Sequence, residues 1–278
     1  MSRPVVVGVA EKQPNVLTFA VQEARTTQSP LRVVHATGIH PPTAGSFAGG
    51  LVVEELRQAG RPVLDDAEHL IHDEAPGLDA NFVLTSETPV RALEHTSSGA
   101  RLLVLGSDEV PWFDGLAHRR ISGHMALHAE CPVVVVPSDS PTRTTGDLVL
   151  TLDGDTAAEG PIRYAFEQAE VRDAVLHVLH VTPADAPTHE ADQIKTNISE
   201  VLAGWRAEFP DVRVVKGFVT GDPTNAIVQA TQNAAALVIV GRPHEHDLPF
   251  PETRPLATEV LRRANCPVAI VPPTYAGG

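Results

Sequence analysis

Two acids separated by a single residue, Asp153-Gly154-Asp155, stand directly after the apolar run DLVLTL at 147–152. Carboxylates at that spacing behind a strand suit magnesium-dependent phosphotransfer, one as nucleophile and the next as acid and base. Such a site needs further carboxylates at neighbouring strand ends to hold the metal. The fourth strand of the same half ends in Gly241-Arg242-Pro243, which supplies none. His244-Glu245-His246-Asp247 sets two imidazoles close together, but no third ligand stands at a metal-site spacing, so a solvated loop is the expectation. Arg119, Arg120 and Arg254 precede helical patterns, where a cation opposes the helix dipole unless an anion is bound. Ion pairs with Glu109, Asp114 or Glu252 would serve as well. His35, His177 and His180, on or beside the second strand of each half, read as hydrogen-bonded structural histidines. Neither GxSxG nor a Walker A sequence occurs, so acyl transfer and P-loop hydrolysis have no motif behind them.

These residues hang on a repeat. Residues 129–137 read AECPVVVVP and residues 264–272 read ANCPVAIVP. Proline cannot donate to a ladder and so sits at strand ends, which makes each apolar run a short buried strand. Gly106 and Gly241 each close an apolar run, and each lies 25 residues before its cysteine. Pro89 and Pro223 open helical patterns, and His35 and His180 lie near the ends of LRVVH and VLHVLH. Each half therefore alternates five apolar strands with four helices, which predicts a parallel sheet covered on both faces. The last helix of the second half is expected to bury Leu256, Val260, Leu261 and Ala264 as one stripe, and that of the first half Ile121, Met125 and Ala129. Ligands of such sheets sit beyond the carboxyl ends of the strands where strand order reverses, here between strands one and four. The expected division is 1–138 and 147–278, joined by a Pro- and Thr-rich linker at 139–146.

The formal charge of −14 argues against nucleic acid or an anionic membrane surface as partner, since both call for a basic face. No stretch reaches the roughly 18 apolar residues of a membrane span, and an apolar strand pattern follows Met1 almost at once, so the cytoplasm is the expected compartment. Cys131 and Cys266 occupy the same slot of the two halves and form no CxxC pair; both are expected to be buried free thiols.

With its opening strands, the DGD at 153–155, the GDP turn at 221–223, the strand-four glycines and the closing CPVVVVP and CPVAIVP, the chain resembles a tandem universal stress protein. The resemblance implies two flavodoxin-like (Rossmann-like) units in a non-enzymatic stress-response module. It also implies, for one branch of the family, ATP binding through an Asp after strand one and a loop of the form G-x2-G-x9-G-[ST]. Set on that pattern, the first half keeps Gly106 and Ser107 but has Glu109 for the second glycine, Arg119 and Arg120 for the final pair, and Ala10 for the acid. The second half keeps Asp153, Gly154, Gly241 and Arg242, with His244 for the second glycine and Arg254-Pro255 for the final pair. Glycines let backbone N–H groups approach a phosphate, Glu109 repels one, and Pro255 has no N–H to give. Both loops therefore read as degenerate: ATP is expected to bind weakly at best, mainly through the second half, and no metal or other cofactor is expected.

The runs VVVV and VAIV are too apolar to stand as open sheet edges, so the halves are expected to associate through their closing strands. Separately expressed 1–143 and 144–278 should then form a complex in analytical ultracentrifugation; two species that stay monomeric at high concentration would refute the pairing.

Overall fold

Short apolar runs bounded by Pro or Gly fold as strands, and the longer patterns between them fold as helices. The computed structural model describes residues 2–10, 13–38, 49–107, 121–138, 146–152, 158–232, 236–242 and 256–277, with the backbone alone for 49–57 and 59. The chain divides into two units, Met1–Ser138 and Asp139–Gly278.

In the first unit β1 (Val5–Gly8), α1 (Pro14–Thr26), β2 (Leu31–Ala36), α2 (Gly49–Glu74), β3 (Ala80–Thr85), α3 (Pro89–Ser97), β4 (Leu102–Gly106), α4 (Ile121–His128) and β5 (Val133–Val136) follow one another. The strands lie in the order β3-β2-β1-β4-β5, all parallel, with Val5 beside Leu31 on one side and Leu102 on the other. The second unit runs β6 (Leu148–Thr151), α5 (Glu159–Arg172), β7 (Leu176–Thr182), α6 (Thr188–Glu208), β8 (Val214–Thr220), α7 (Pro223–Gln232), β9 (Leu237–Gly241), α8 (Leu256–Arg263) and β10 (Val268–Val271). Its order, β8-β7-β6-β9-β10, repeats that of the first, again all parallel. These are two α/β, doubly wound units of flavodoxin-like order, as the alternation of patterns predicts. Cys131 and Cys266 are both buried thiols, not joined in a disulfide. Among the described residues no helix is long and apolar enough to cross a membrane.

The central strands are buried on both faces, as near-continuous apolar runs should be. The first helix of each unit ends alike. Ser29 N–H donates to the Ala24 carbonyl and Ala174 N–H to the Ala169 carbonyl, while Gln28 and Asp173 between them adopt φ of 51° and 48°. A left-handed residue at that point lets the chain reverse while still satisfying the last helical carbonyls.

The helical stripes differ in detail from the pattern. In α8 the buried face is Ala257, Val260 and Leu261, while Leu256 is exposed and Ala264 half-buried. Leu256 is the first residue of the helix and Ala264 lies past its last, so neither sits where the packed face is continuous. In the first unit Met125 and, just past α4, Ala129 are buried as expected, together with Ser122 and Ala126, while Ile121 is half-buried. The helix α2 begins at Gly49, although the sequence 37–50, TGIHPPTAGSFAGG, reads throughout as a Gly- and Pro-rich loop.

In the second unit an aromatic cluster fastens α6 to α5. Phe166, fully buried, lies 6.0 Å from Trp205 and 5.5 Å from Phe209 between ring centroids. Arg163 stacks its guanidinium 4.7 Å over the Trp205 ring and pairs with Glu208. Removing the central ring deletes both its transfer energy and the contacts around it, so Phe166→Ala should lower the urea-unfolding free energy by about 3–5 kcal/mol. Trp205 emission should shift to the red in the folded variant; an unchanged stability would show that the cluster does not hold α6.

Candidate functional site

Strand β1 passes its chain to α1 on one side of the sheet and β4 passes its chain on the other, so a crevice opens between their carboxyl ends. In the first unit that crevice is a cavity of about 150 Å³. Its floor is Gly8, Val9 and Ala10 after β1 and Leu105-Gly106 at the end of β4; its walls come from β2, α3 and α4. The room exists because Gly8 has no side chain: a Cβ there would lie 2.7 Å from Leu105 Cδ2 and 3.1 Å from Leu93 Cδ2. No Lys, Arg, Asp or Glu lines the cavity among the described residues.

Hydrogen bonds fix the backbone at the mouth. Val9 N–H donates to the Val34 carbonyl at 2.9 Å, and His35 Nδ1–H donates to the Val9 carbonyl at 2.9 Å. The second unit repeats both contacts: Leu152 N–H donates to the Leu179 carbonyl at 3.0 Å and His180 Nδ1–H to the Leu152 carbonyl at 3.0 Å. A carbonyl can only accept, so each ring carries its proton on Nδ1. His177, the third of these histidines, lies with Nε2 2.8 Å from Asp147 Oδ2 on the surface. All three make the structural contacts that their places on the second strands predict.

Gln13, just before α1, folds its side chain across the crevice. Its Oε1 accepts the Ala10 N–H at 3.3 Å. A Cβ on Gly106 would lie 2.8 Å from Gln13 Nε2 and 3.3 Å from Val16 Cγ2. At the matching place in the second unit a Cβ on Gly241 would lie 3.2 Å from Pro161 Cγ. Neither glycine has a positive φ. At both glycines a side chain would press on the first helix, against Val16 in one unit and Pro161 in the other.

Of the residues expected at a nucleotide, Gly106 lines the cavity and Ser107 follows it, but the Ser107 N–H is already donated to the Val136 carbonyl at 3.0 Å. The Arg242 N–H is likewise donated to the Val271 carbonyl at 2.8 Å. The first amide after each strand-four glycine is thus used by the sheet and does not face an anion. Arg119, Arg120, Asp153, Gly154 and Arg254 lie outside the described residues, as do Glu109, Asp155, the His244–Asp247 stretch and the linker through Thr145. The lining contributed by Gln13, Leu93 and Ile121 was not signalled by the motifs. A glycine inside the VVVG strand is the one sequence sign of close approach there.

The model of the universal stress protein family matches residues 1–137 and again 146–272. A universal stress protein of Mycolicibacterium smegmatis is 26% identical, over 97% of this chain and 97% of its own. One of Mycobacterium tuberculosis is 26% identical over 98% of this chain and 96% of its own. Among solved structures, a universal stress protein from Archaeoglobus fulgidus superposes with a TM-score of 0.72 at 17% identity, over 96% of this chain and 95% of that one.

His180 is buried, so replacing it by phenylalanine leaves the Leu152 carbonyl without its donor. An unsatisfied buried acceptor costs about 1–3 kcal/mol. Both His180→Phe and His35→Phe should lower thermal stability on that account, His180→Phe the more because His35 is only half-buried. Calorimetric melting of the two variants measures it, and unchanged melting would show that the pinned carbonyls do not matter.

Proposed function

The chain belongs to the universal stress protein family, and from that premise we propose that it is a non-enzymatic stress-response module of the cytoplasm whose first unit takes one uncharged, ring-sized group in place of ATP. The observation that carries this reading is the lining of the cavity, which has no charged side chain among the described residues. An apolar cavity of on the order of 150 Å³ admits a benzene-sized ring, whereas drug-sized ligands fill roughly 300 Å³ or more. A triphosphate leaving water needs donors and cations to replace its hydration. Ala10 stands where the family's acid would contact a nucleotide, and the Ser107 amide is engaged in the sheet.

The second unit keeps Asp153 and Gly154 after its first strand, with Gly241, Arg242 and Arg254 in the remnant loop. Weak adenine-nucleotide binding is assigned there, and the remnant Gly106, Ser107, Arg119 and Arg120 of the first unit are assigned no triphosphate. Pairing of the two closing strands remains part of the reading, resting on their apolar composition.

Titration calorimetry of ATP with magnesium into the whole protein tests the assignment. Two lost or reversed contacts per site should leave no binding tighter than about 100 μM, and any weaker heat should vanish in Asp153→Ala. Low-micromolar binding that survives Asp153→Ala would place ATP in the first unit and overturn the proposal.

A further inference from the structure

The aliphatic cavity of the first unit has one polar side chain on its wall that its neighbours leave unanswered. Ser122, the second residue of α4, lines the cavity and is only 6% exposed. Its hydroxyl makes no hydrogen bond among the described residues. The backbone donors at the mouth are taken: Val9 N–H by the Val34 carbonyl, Ala10 N–H by Gln13 Oε1 and Ser107 N–H by the Val136 carbonyl. His35, also on the lining, keeps its Nδ1–H on the Val9 carbonyl, so its Nε2 can only accept. The second residue of α8 in the other unit is Ala257, so the fold itself does not call for a hydroxyl at this place. A buried hydroxyl without a partner is costly, and such a group marks a place where a ligand or an ordered water completes the structure. Water held in a cavity needs about two to four polar partners, and a lining of Leu93, Leu105 and Ile121 offers none.

We propose that the group taken by this cavity is a phenol, a neutral aromatic ring whose hydroxyl exchanges a hydrogen bond with Ser122 Oγ. The inference rests on the reading of the cavity as a site for one uncharged ring. A volume of about 150 Å³ limits the ligand to a single ring with a small substituent. The lining has no charged side chain among the described residues, so a carboxylate or an ammonium on the ring would lose its hydration without replacement. A phenol ionises near pH 10, as tyrosine does, and enters uncharged at pH 7. A carbonyl substituent could accept from Ser122 but has nothing to donate to an acceptor such as His35 Nε2. A hydroxyl can donate and accept, and so suits both of these polar groups.

Calorimetric titration of phenol, and of toluene, which carries a methyl in place of the hydroxyl, into the full-length protein and its Ser122→Ala variant is the test. Both rings are expected to bind one site per chain and to compete for it. Ser122→Ala should weaken phenol about tenfold or more, because the ligand hydroxyl then gives up water for nothing, and should leave toluene as tight or tighter. Alanine is what the second unit carries at this place, so the variant keeps the fold, and its toluene binding shows that the cavity is intact. Toluene binding without phenol, or a phenol affinity that Ser122→Ala changes no more than that of toluene, would overturn the phenol assignment and leave the ring-sized cavity standing. Binding of neither ring to the wild type would overturn both.

Discussion

Where two neighbouring parallel strands send their chains to opposite faces of a sheet, no backbone crosses the space between their ends. That topological gap is what everything at the candidate site answers to. The last carbonyl of the first strand would be left without a donor there, and a histidine from the second strand supplies one in each unit, His35 to Val9 and His180 to Leu152. The fourth strand must end in a residue small enough for the first helix to pass, and Gly106 and Gly241 meet that need against Val16 and Pro161. Residues that a motif search assigns to phosphate thus already have a structural duty.

From this shared frame the two units diverge. The first opens its gap into an aliphatic cavity by placing Gly8 where the second has Thr151, whose hydroxyl donates to the Ile239 carbonyl. The second concentrates aromatic mass on the outside of its first helix, with Phe166, Trp205 and Phe209 stacked between α5 and α6. A cavity lies at the gap of the first unit, and the sequence keeps an acid, Asp153, after the first strand of the second.

Much of the fold was legible because its signals are local or repeated. Apolar runs between Pro and Gly gave the strands, Pro89 and Pro223 marked the starts of α3 and α7, and the matched distance from glycine to cysteine revealed the duplication. The crevice between strands one and four followed from topology alone. Its lining did not, because Leu93 and Ile121 reach it only through the approach of α3 and α4 to the sheet, a tertiary fact without periodic signature. Periodicity also overreached at Leu256 and Ala264, where the helix ends before the pattern does. Gln13 was invisible for a different reason: a polar residue ahead of a helix reads as solvent-facing until its amide is seen against Ala10 and Gly106.

The turn that closes the first helix of each unit has a consequence for how this chain has drifted. Gln28 and Asp173 hold the same left-handed conformation, yet neither is the glycine that adopts it without a steric penalty of roughly 1–2 kcal/mol. Two descendants of one ancestral turn have kept the shape while exchanging the residue, and both have settled on chemically unrelated, suboptimal choices. The path of the chain at this turn is therefore compatible with a side chain of either kind, at a local cost that glycine would avoid.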